Sequence, residues 1–420
     1  MPRNLSLADW LARLEQLHPS TIELGLERVR RVKDAMGLAP AFPIIIVGGT
    51  NGKGSTCATL EAILGAAGYK TGLYTSPHLL RYNERVRIAG SEASDVELVA
   101  AFERIDSARG ETSLTYFEFG TLGAMAQFID GGVDVAILEV GLGGRLDAVN
   151  VVDPDVAVVV SVALDHMEFL GPDVESIARE KAGIFRRGRP AICGMASPPP
   201  SLVEVAAALS ADLRVLGRDY HGIERSDGHW NYADAGGRID GLPMPALAGV
   251  AQVGNAATAL AALRAIGPSL RLERAAVERG LHDVHLPGRF QRLTDRRGVE
   301  WVFDVAHNPA AAAVLAANLR RFPSGGRTLA LCGMLADKDV PAVIAQLRDD
   351  VDGWWAATTD GPRGLSDAAL ANLAAGAGVT MRLGGTVTEA MRSVAAAASA
   401  GDRIVVFGSF HTVGPALSCV

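Results

Sequence analysis

Two kinds of hydrophobic pattern alternate along the chain. Short, nearly unbroken apolar runs, such as VDVAILEV from Val133 to Val140 and VAVVVSV from Val156 to Val162, are bounded by turn signals. Runs of this kind suit strands covered on both faces of a parallel sheet. Between them lie stretches of helical period: Asp95 to Ala108, Phe117 to Ile129, and an N-terminal segment with Leu7, Trp10, Leu11, Leu14 and Leu17 on one face. Strands alternating with helices predict an α/β domain. From Ser197 to Pro245 the chain is rich in turn signals (SPPPS, RSDGHWNYADAGGR, GLPMP), which predicts antiparallel hairpins at the edge of that sheet. Helical period returns from Pro245 to Ala265.

Near HLPGRF the alternation restarts. Strands are expected at Glu300 to Val305, Arg327 to Cys332, Trp354 to Thr358, Val379 to Leu383 and Arg403 to Phe407, with helices from Pro309, Val340, Ser366 and Thr386. This places a boundary near Pro287. Residues 1–286 then form a P-loop-type, mostly parallel sheet domain, and residues 287–420 a smaller Rossmann-like α/β domain.

One stretch carries chemistry on its face: PIIIVGGTNGKGSTCATLEAIL, from Pro43 to Leu64, reads as strand, loop, helix. Gly48, Gly49, Gly52 and Gly54 let backbone N–H groups approach a phosphate, the helix N-terminus adds partial positive charge, and Lys53 a full one. The loop is a variant of the usual nucleotide cradle, with Val47 where the first glycine would stand and Gly54 between Lys53 and Ser55. A plain strand-to-helix turn with an exposed lysine is the bland alternative.

Ligands of open parallel sheets bind beyond the carboxyl ends of the strands. The residues just past each predicted strand are the glycine loop, Ser76 and His78, Glu139, and Asp165 with His166. Such oxygen and imidazole groups suit Mg²⁺ bridging the phosphates of ATP. Singly, each has a structural alternative. Glu139 could pair with Arg145, His166 could be a satisfied strand-end histidine, and Lys181 could be a solvated helix lysine paired with Glu180 or Glu175. Asn308 and Pro309 read as the N-cap and first residue of a helix.

Composition narrows the class. Over 420 residues the net charge is −7, without the basic stripe a nucleic-acid surface needs. Cys57, Cys193, Cys332 and Cys419 are far apart and form no CxxC, as buried thiols of a reducing compartment would. The longest uncharged stretch, Gly241 to Leu263, is broken by prolines and glycines and is poor membrane material. Acids among the polar residues of the N-terminal segment argue against a signal peptide, so a cytoplasmic protein is expected.

In order, GTNGKGS, TSPHLLRYNERVRI, TYFEFGTL, LEVGLGGRLDAVN, LDHMEFLG, REKAGIF, LPGRFQ, DVAHNP and VFGSFHTV resemble the bacterial bifunctional dihydrofolate synthase/folylpolyglutamate synthases, which are similar to the Mur ligases. The resemblance spans nearly the whole chain. It implies a monomeric ATP-dependent ligase whose substrates are 7,8-dihydropteroate, reduced folates and L-glutamate. It further implies that Gly52, Lys53, Gly54 and Ser55 hold the ATP phosphates, with Asn255, Arg289 and Asp304 also on ATP, the last two from the second domain. Ser76, Glu139 and His166 would ligate Mg²⁺. Lys181 matches a lysine carboxylated by CO₂, whose carbamate helps place a second Mg²⁺. Lys53, Glu139, His166 and Lys181 are thus the catalytic set.

The pterin would rest on Glu23, Leu24, Gly25 and Leu26, on Thr115, Tyr116, Phe117 and Glu118, with Phe117 stacking on the ring, and on Leu146, Asp147 and Ala148. His307, Ser409 and His411 would meet phosphate or glutamate. One departure is visible: similar proteins carry Asp before LGL, and Glu23 is one methylene longer. A folylpolyglutamate synthase without the first activity, and a P-loop ATPase or switch module without ligase activity, are the rival readings.

Overall fold

The structure, a computed structural model, describes residues 5–18, 22–267 and 270–420. Residues 1–4 of the expected N-terminal helical segment lie outside it. Two compact units are present, Met1–Ala246 with Val253–Val284, and Leu247–Gln252 with His285–Val420.

The first unit is built on an eight-stranded sheet. Its strands are β1 (Ile44–Gly48), β2 (Thr71–Tyr74), β3 (Val86–Ile88), β4 (Ser91–Glu92), β5 (Val135–Glu139), β6 (Val156–Val159), β7 (Pro190–Cys193) and β8 (Asp212–Val215). Their order is β4-β3-β2-β5-β1-β6-β7-β8. From β2 to β8 all pairings are parallel, and β3 and β4 add an antiparallel edge. Every residue of β1, β5 and β6 is buried, which is why those runs show no polar alternation. Ile45 and Val47 pack with Leu60 and Leu64 of the helix Lys53–Ala66, whereas Ile44 and Ile46 belong to a second core with Phe119 and Leu14. The helix Leu7–Leu17 starts on a Ser6–Asp9 capping box and buries Leu7, Trp10 and Leu14 in that second core.

The turn-rich segment departs from expectation. The hairpin strands β9 (Tyr220–Glu224), β10 (His229–Asp234) and β11 (Gly237–Pro243) form their own antiparallel sheet, and the edge of the main sheet is β8. Trp230 and Tyr232 alternate onto one face, and that face is covered by the helix Gln252–Ala265, so the hairpins are not held by edge pairing. The prolines of SPPPS do not only make turns: Pro200 opens the helix Pro200–Ala208.

In the second unit β12 (Gln291–Thr294), β13 (Glu300–Asp304), β14 (Thr328–Cys332), β15 (Gly353–Thr358), β16 (Arg382–Thr386) and β17 (Arg403–Phe407) lie in the order β12-β13-β17-β14-β15-β16. Only β12 is antiparallel. β16 falls three residues later than the apolar run at Val379 predicts, because Val379 and Met381 turn into the core ahead of an exposed edge strand. Cys57, Cys193 and Cys332 are buried, but Cys419 is exposed and departs from the expected set. Among the described residues no helix is long and apolar enough to cross a membrane.

Candidate active site

The glycine loop leaves β1 at Gly48. Gly52 takes the left-handed conformation (φ 86°) that starts the helix Lys53–Ala66, so the amides of its first turn are unblocked by a side chain. Lys53 Nζ donates to the carbonyls of Gly49 (3.0 Å) and Thr50 (3.2 Å), which folds the ammonium back over the loop. Thr50 N donates to the Ser161 carbonyl (2.8 Å), the Ser161 hydroxyl donates to the Asn51 carbonyl (2.8 Å), and the Ala163 amide donates to the Thr50 hydroxyl (3.0 Å). The loop is thereby stitched to the segment that leaves β6 and carries Asp165 and His166. A Cβ on Gly52 would lie 3.0 Å from Asn255 Oδ1, which sets Asn255 against the loop.

Glu139 ends β5 buried, 4% exposed, and its carboxylate accepts the Ser76 amide at 3.1 Å. The parallel pairing of β2 with β5 brings these two strand tips together. His166 sits in a left-handed conformation (φ 50°), and its amide donates to the Asp165 carboxylate at 3.0 Å.

Lys181, on the helix Val174–Ala182, is 4% exposed, not a solvated helix lysine. Its two proposed acids are engaged elsewhere: Glu180 accepts Arg145 (3.0 and 2.9 Å), and Glu175 accepts the Ser201 amide (2.9 Å). Arg145 therefore does not leave Glu139 as an ordinary surface pair. Burial lowers the Lys181 pKa to about 7, Lys53 pushes the same way, and Asp165 and Asp147 oppose. Asp147 accepts the amides of Leu142 (2.8 Å) and Val149 (3.1 Å), yet burial raises its pKa to about 7. Lys53, Lys181, Asp147 and Asp165 thus share one electrostatic neighbourhood.

The three segments expected around a pterin also converge. Gly25 N donates to the Leu146 carbonyl at 3.3 Å, docking the 23–26 loop on the 146–148 turn. The Phe117 ring lies against Gly141, where a Cβ would come within 2.7 Å of it, and 5.7 Å from the Tyr74 ring. Thr115 and Glu118 are spent differently: they form the capping box of the helix Tyr116–Asp130 and are buried. Glu118 also accepts Arg28 (3.2 Å), which bonds Glu23, and Glu23 meets His18 Nε2 at 3.2 Å. The longer arm of Glu23 is taken up by these two partners. Sequence reasoning missed His18 and Arg28, although Arg28 stands two residues past the LGL of that loop.

In the second unit Asp304 ends β13 opposite Phe407 of β17. Its carboxylate accepts the amides of Phe290 (2.9 Å) and Ala306 (2.8 Å); burial raises its pKa, and Arg289 opposes that. The Arg289 guanidinium lies 5.0 Å from the Phe410 ring. His307 Nδ1 is 2.8 Å from the Val305 carbonyl, and Ser409 caps the helix Phe410–Leu417 by accepting the His411 amide. Burial lowers the His411 pKa, with Arg363 adding to it. Asn308 caps the helix Pro309–Arg321, as the sequence predicts.

Among the described residues no three His, Cys, Asp or Glu side chains form a cage for a metal ion. Of the three expected ligands, Glu139 and Ser76 are joined by a hydrogen bond, and Mg²⁺ is an ion commonly held by few protein groups and completed by phosphate and water.

Residues 47–198 match the Mur ligase middle domain and residues 288–410 the Mur ligase glutamate ligase domain. Over 416 residues the chain is 48% identical to a dihydrofolate synthase/folylpolyglutamate synthase of Escherichia coli strain K12, covering 99% of this chain and 95% of that protein. The structure of E. coli FolC in complex with DHPP and ADP superposes with a TM-score of 0.93 at 47% identity, covering 99% of this chain and 97% of that one. A bifunctional folylpolyglutamate synthase/dihydrofolate synthase with Mn, AMPPNP and L-glutamate bound gives a TM-score of 0.91 at 46% identity, covering 99% and 98%.

Proposed function

The chain belongs to the Mur ligase family, among its dihydrofolate synthases/folylpolyglutamate synthases, and from that membership we propose that it joins L-glutamate to 7,8-dihydropteroate and further glutamates to reduced folates, driven by ATP. A carboxylate is a poor electrophile. Transfer of the γ-phosphoryl group to it gives an acyl phosphate and ADP; the amino group of glutamate then attacks the acyl carbon, forming the amide and releasing phosphate.

The residues divide that work. The amides at Gly52, Gly54 and Ser55 and the ammonium of Lys53 bind the phosphates and neutralise charge that builds up during transfer, which is most of what phosphoryl transfer asks of a protein. Asn255, Arg289 and Asp304 are assigned to ATP, and His307, Ser409 and His411 to phosphate or glutamate. Ser76, Glu139 and His166 would hold Mg²⁺, which when bound shields the phosphate charge. A lysine with a pKa near 7 carries a large neutral fraction, the form that reacts with CO₂; this supports a carbamate on Lys181 as part of the site of a second Mg²⁺. Leu24 to Leu26, Phe117 and Leu146 to Ala148 hold the pterin. The protein is proposed to act as a cytoplasmic monomer.

The observation that carries this reading is the burial of Lys181 beside Lys53, Asp147 and Asp165, a cluster that a simple nucleotide switch does not need. The test is ADP release from purified protein. It should require dihydropteroate or tetrahydrofolate together with glutamate; ATP turnover at the same rate without them would replace the ligase by an ATPase.

A further inference from the structure

Arg85 is half-buried, and among the described residues no carboxylate pairs with it. Arg28, Arg87 and Arg145 of the same unit each have such a partner. Among the described residues, its side chain makes one hydrogen bond, from Nε to His78 Nδ1 at 2.9 Å. Its guanidinium rests against an edge-packed pair of phenol rings, 5.3 Å from Tyr82 and 5.4 Å from Tyr116, whose centroids are 5.6 Å apart. Ring faces attract a cation but do not satisfy its N–H groups, and among the described residues neither terminal nitrogen has a protein acceptor. The Tyr82 hydroxyl, in a side chain that is itself buried, likewise has no hydrogen-bond partner.

Arg85 is placed between two parts of the proposed site. Its carbonyl accepts the Thr75 amide at 2.9 Å, which sets it alongside Ser76 and so beside Glu139. Tyr116, one of the two rings it rests on, directly precedes Phe117, whose ring lies on Gly141. A guanidinium fork held by its Nε and resting on two rings matches a carboxylate through two parallel hydrogen bonds.

We propose that Arg85 is the receptor for a carboxylate of the pterin-linked substrate, positioning it between the ring-binding segments and the phosphate loop. This rests on the ligase reading above. Two carboxylates have the required chemistry: the single one of dihydropteroate, which reacts, and the α-carboxylate that a glutamyl residue adds on a reduced folate.

The experiment titrates wild-type protein, Arg85→Met and Arg85→Lys with dihydropteroate, tetrahydrofolate and 6-hydroxymethyl-7,8-dihydropterin, which has no carboxylate. Arg85→Met should weaken a carboxylate-bearing ligand about tenfold or more, as expected for losing hydrogen bonds to a charged group, and leave the carboxylate-free pterin unchanged. Arg85→Lys, with charge but no fork, should fall between. Loss for tetrahydrofolate alone assigns the α-carboxylate; loss for both assigns the reacting one. Unchanged binding of both by Arg85→Met, or equal weakening of all three ligands, overturns the proposal while the ligase reading stands. Wild-type protein that binds neither carboxylate ligand would remove the ligase reading, and this inference with it.

Discussion

Asn255 and Gly52 meet without a side chain between them: a methyl group on Gly52 would stand 3.0 Å from Asn255 Oδ1 and 2.8 Å from Val160 Cγ1. Gly52 also has a φ of 86°, so Gly52→Ala combines a clash with backbone strain. The variant should lose about 1–3 kcal/mol of stability. Its affinity for ADP, measured by calorimetry, should fall by at least about tenfold.

Lys53→Ala deletes the one full positive charge folded over the loop. Turnover should fall by about a thousandfold, within the range for removing a charge-stabilising group. Circular dichroism should be unchanged. Near-normal ADP release in the presence of both co-substrates would show that Lys53 has no part in the phosphoryl step.

Lys181→Ala should be close to inactive and be partly restored by short carboxylic acids that replace the carbamate. Wild-type activity should rise with added bicarbonate. Labelled CO₂ trapped on wild-type protein but not on the variant would locate the modification; no label on either would remove the carbamate from the mechanism.

The same lysine links stability to pH. The unfolded chain keeps its proton up to the ordinary lysine range, and the folded chain loses it near pH 7. Across that window the unfolded state binds more protons, so this group makes stability rise with pH. In CO₂-free buffer the melting temperature of the wild type should climb more steeply than that of Lys181→Met between pH 7 and 9. Equal slopes would mean that Lys181 is protonated in the fold.

Glu61, on the phosphate-loop helix, pairs with Arg87 of β3 at 2.6 Å, and burial raises the Glu61 pKa. Arg87→Ala strands a buried carboxylate and should cost about 3 kcal/mol in urea unfolding. The pair Glu61→Leu with Arg87→Met should recover most of it. A loss no smaller in the double variant would show that the charges are not the source.

The parallel sheets were legible because strands buried on both faces announce themselves as unbroken apolar runs, as β1, β5 and β6 do. Strand tips also singled out Ser76 and Glu139, which the fold joins by a hydrogen bond. What periodicity could not give was the company a residue keeps. Lys181 occupies a polar slot in REKAGIF, and nothing local says that its side chain is 4% exposed. The displaced hairpin sheet has the same origin, since Trp230 and Tyr232 find their cover on a helix that begins at Gln252. Arg85 and Arg28 look alike in sequence; only the fold gives Arg28 its acids and leaves Arg85 without one.

Thr50, Asn51, Ser161 and Ala163 are laced by main-chain and side-chain bonds, so the nucleotide loop and the strand exit behind it move as one bracket. The other arm of that bracket leads directly to the acid and imidazole of residues 165 and 166, so their backbone is anchored to the glycine loop. Ser161, bonded to both Thr50 and Asn51, is the rivet that holds the two arms together.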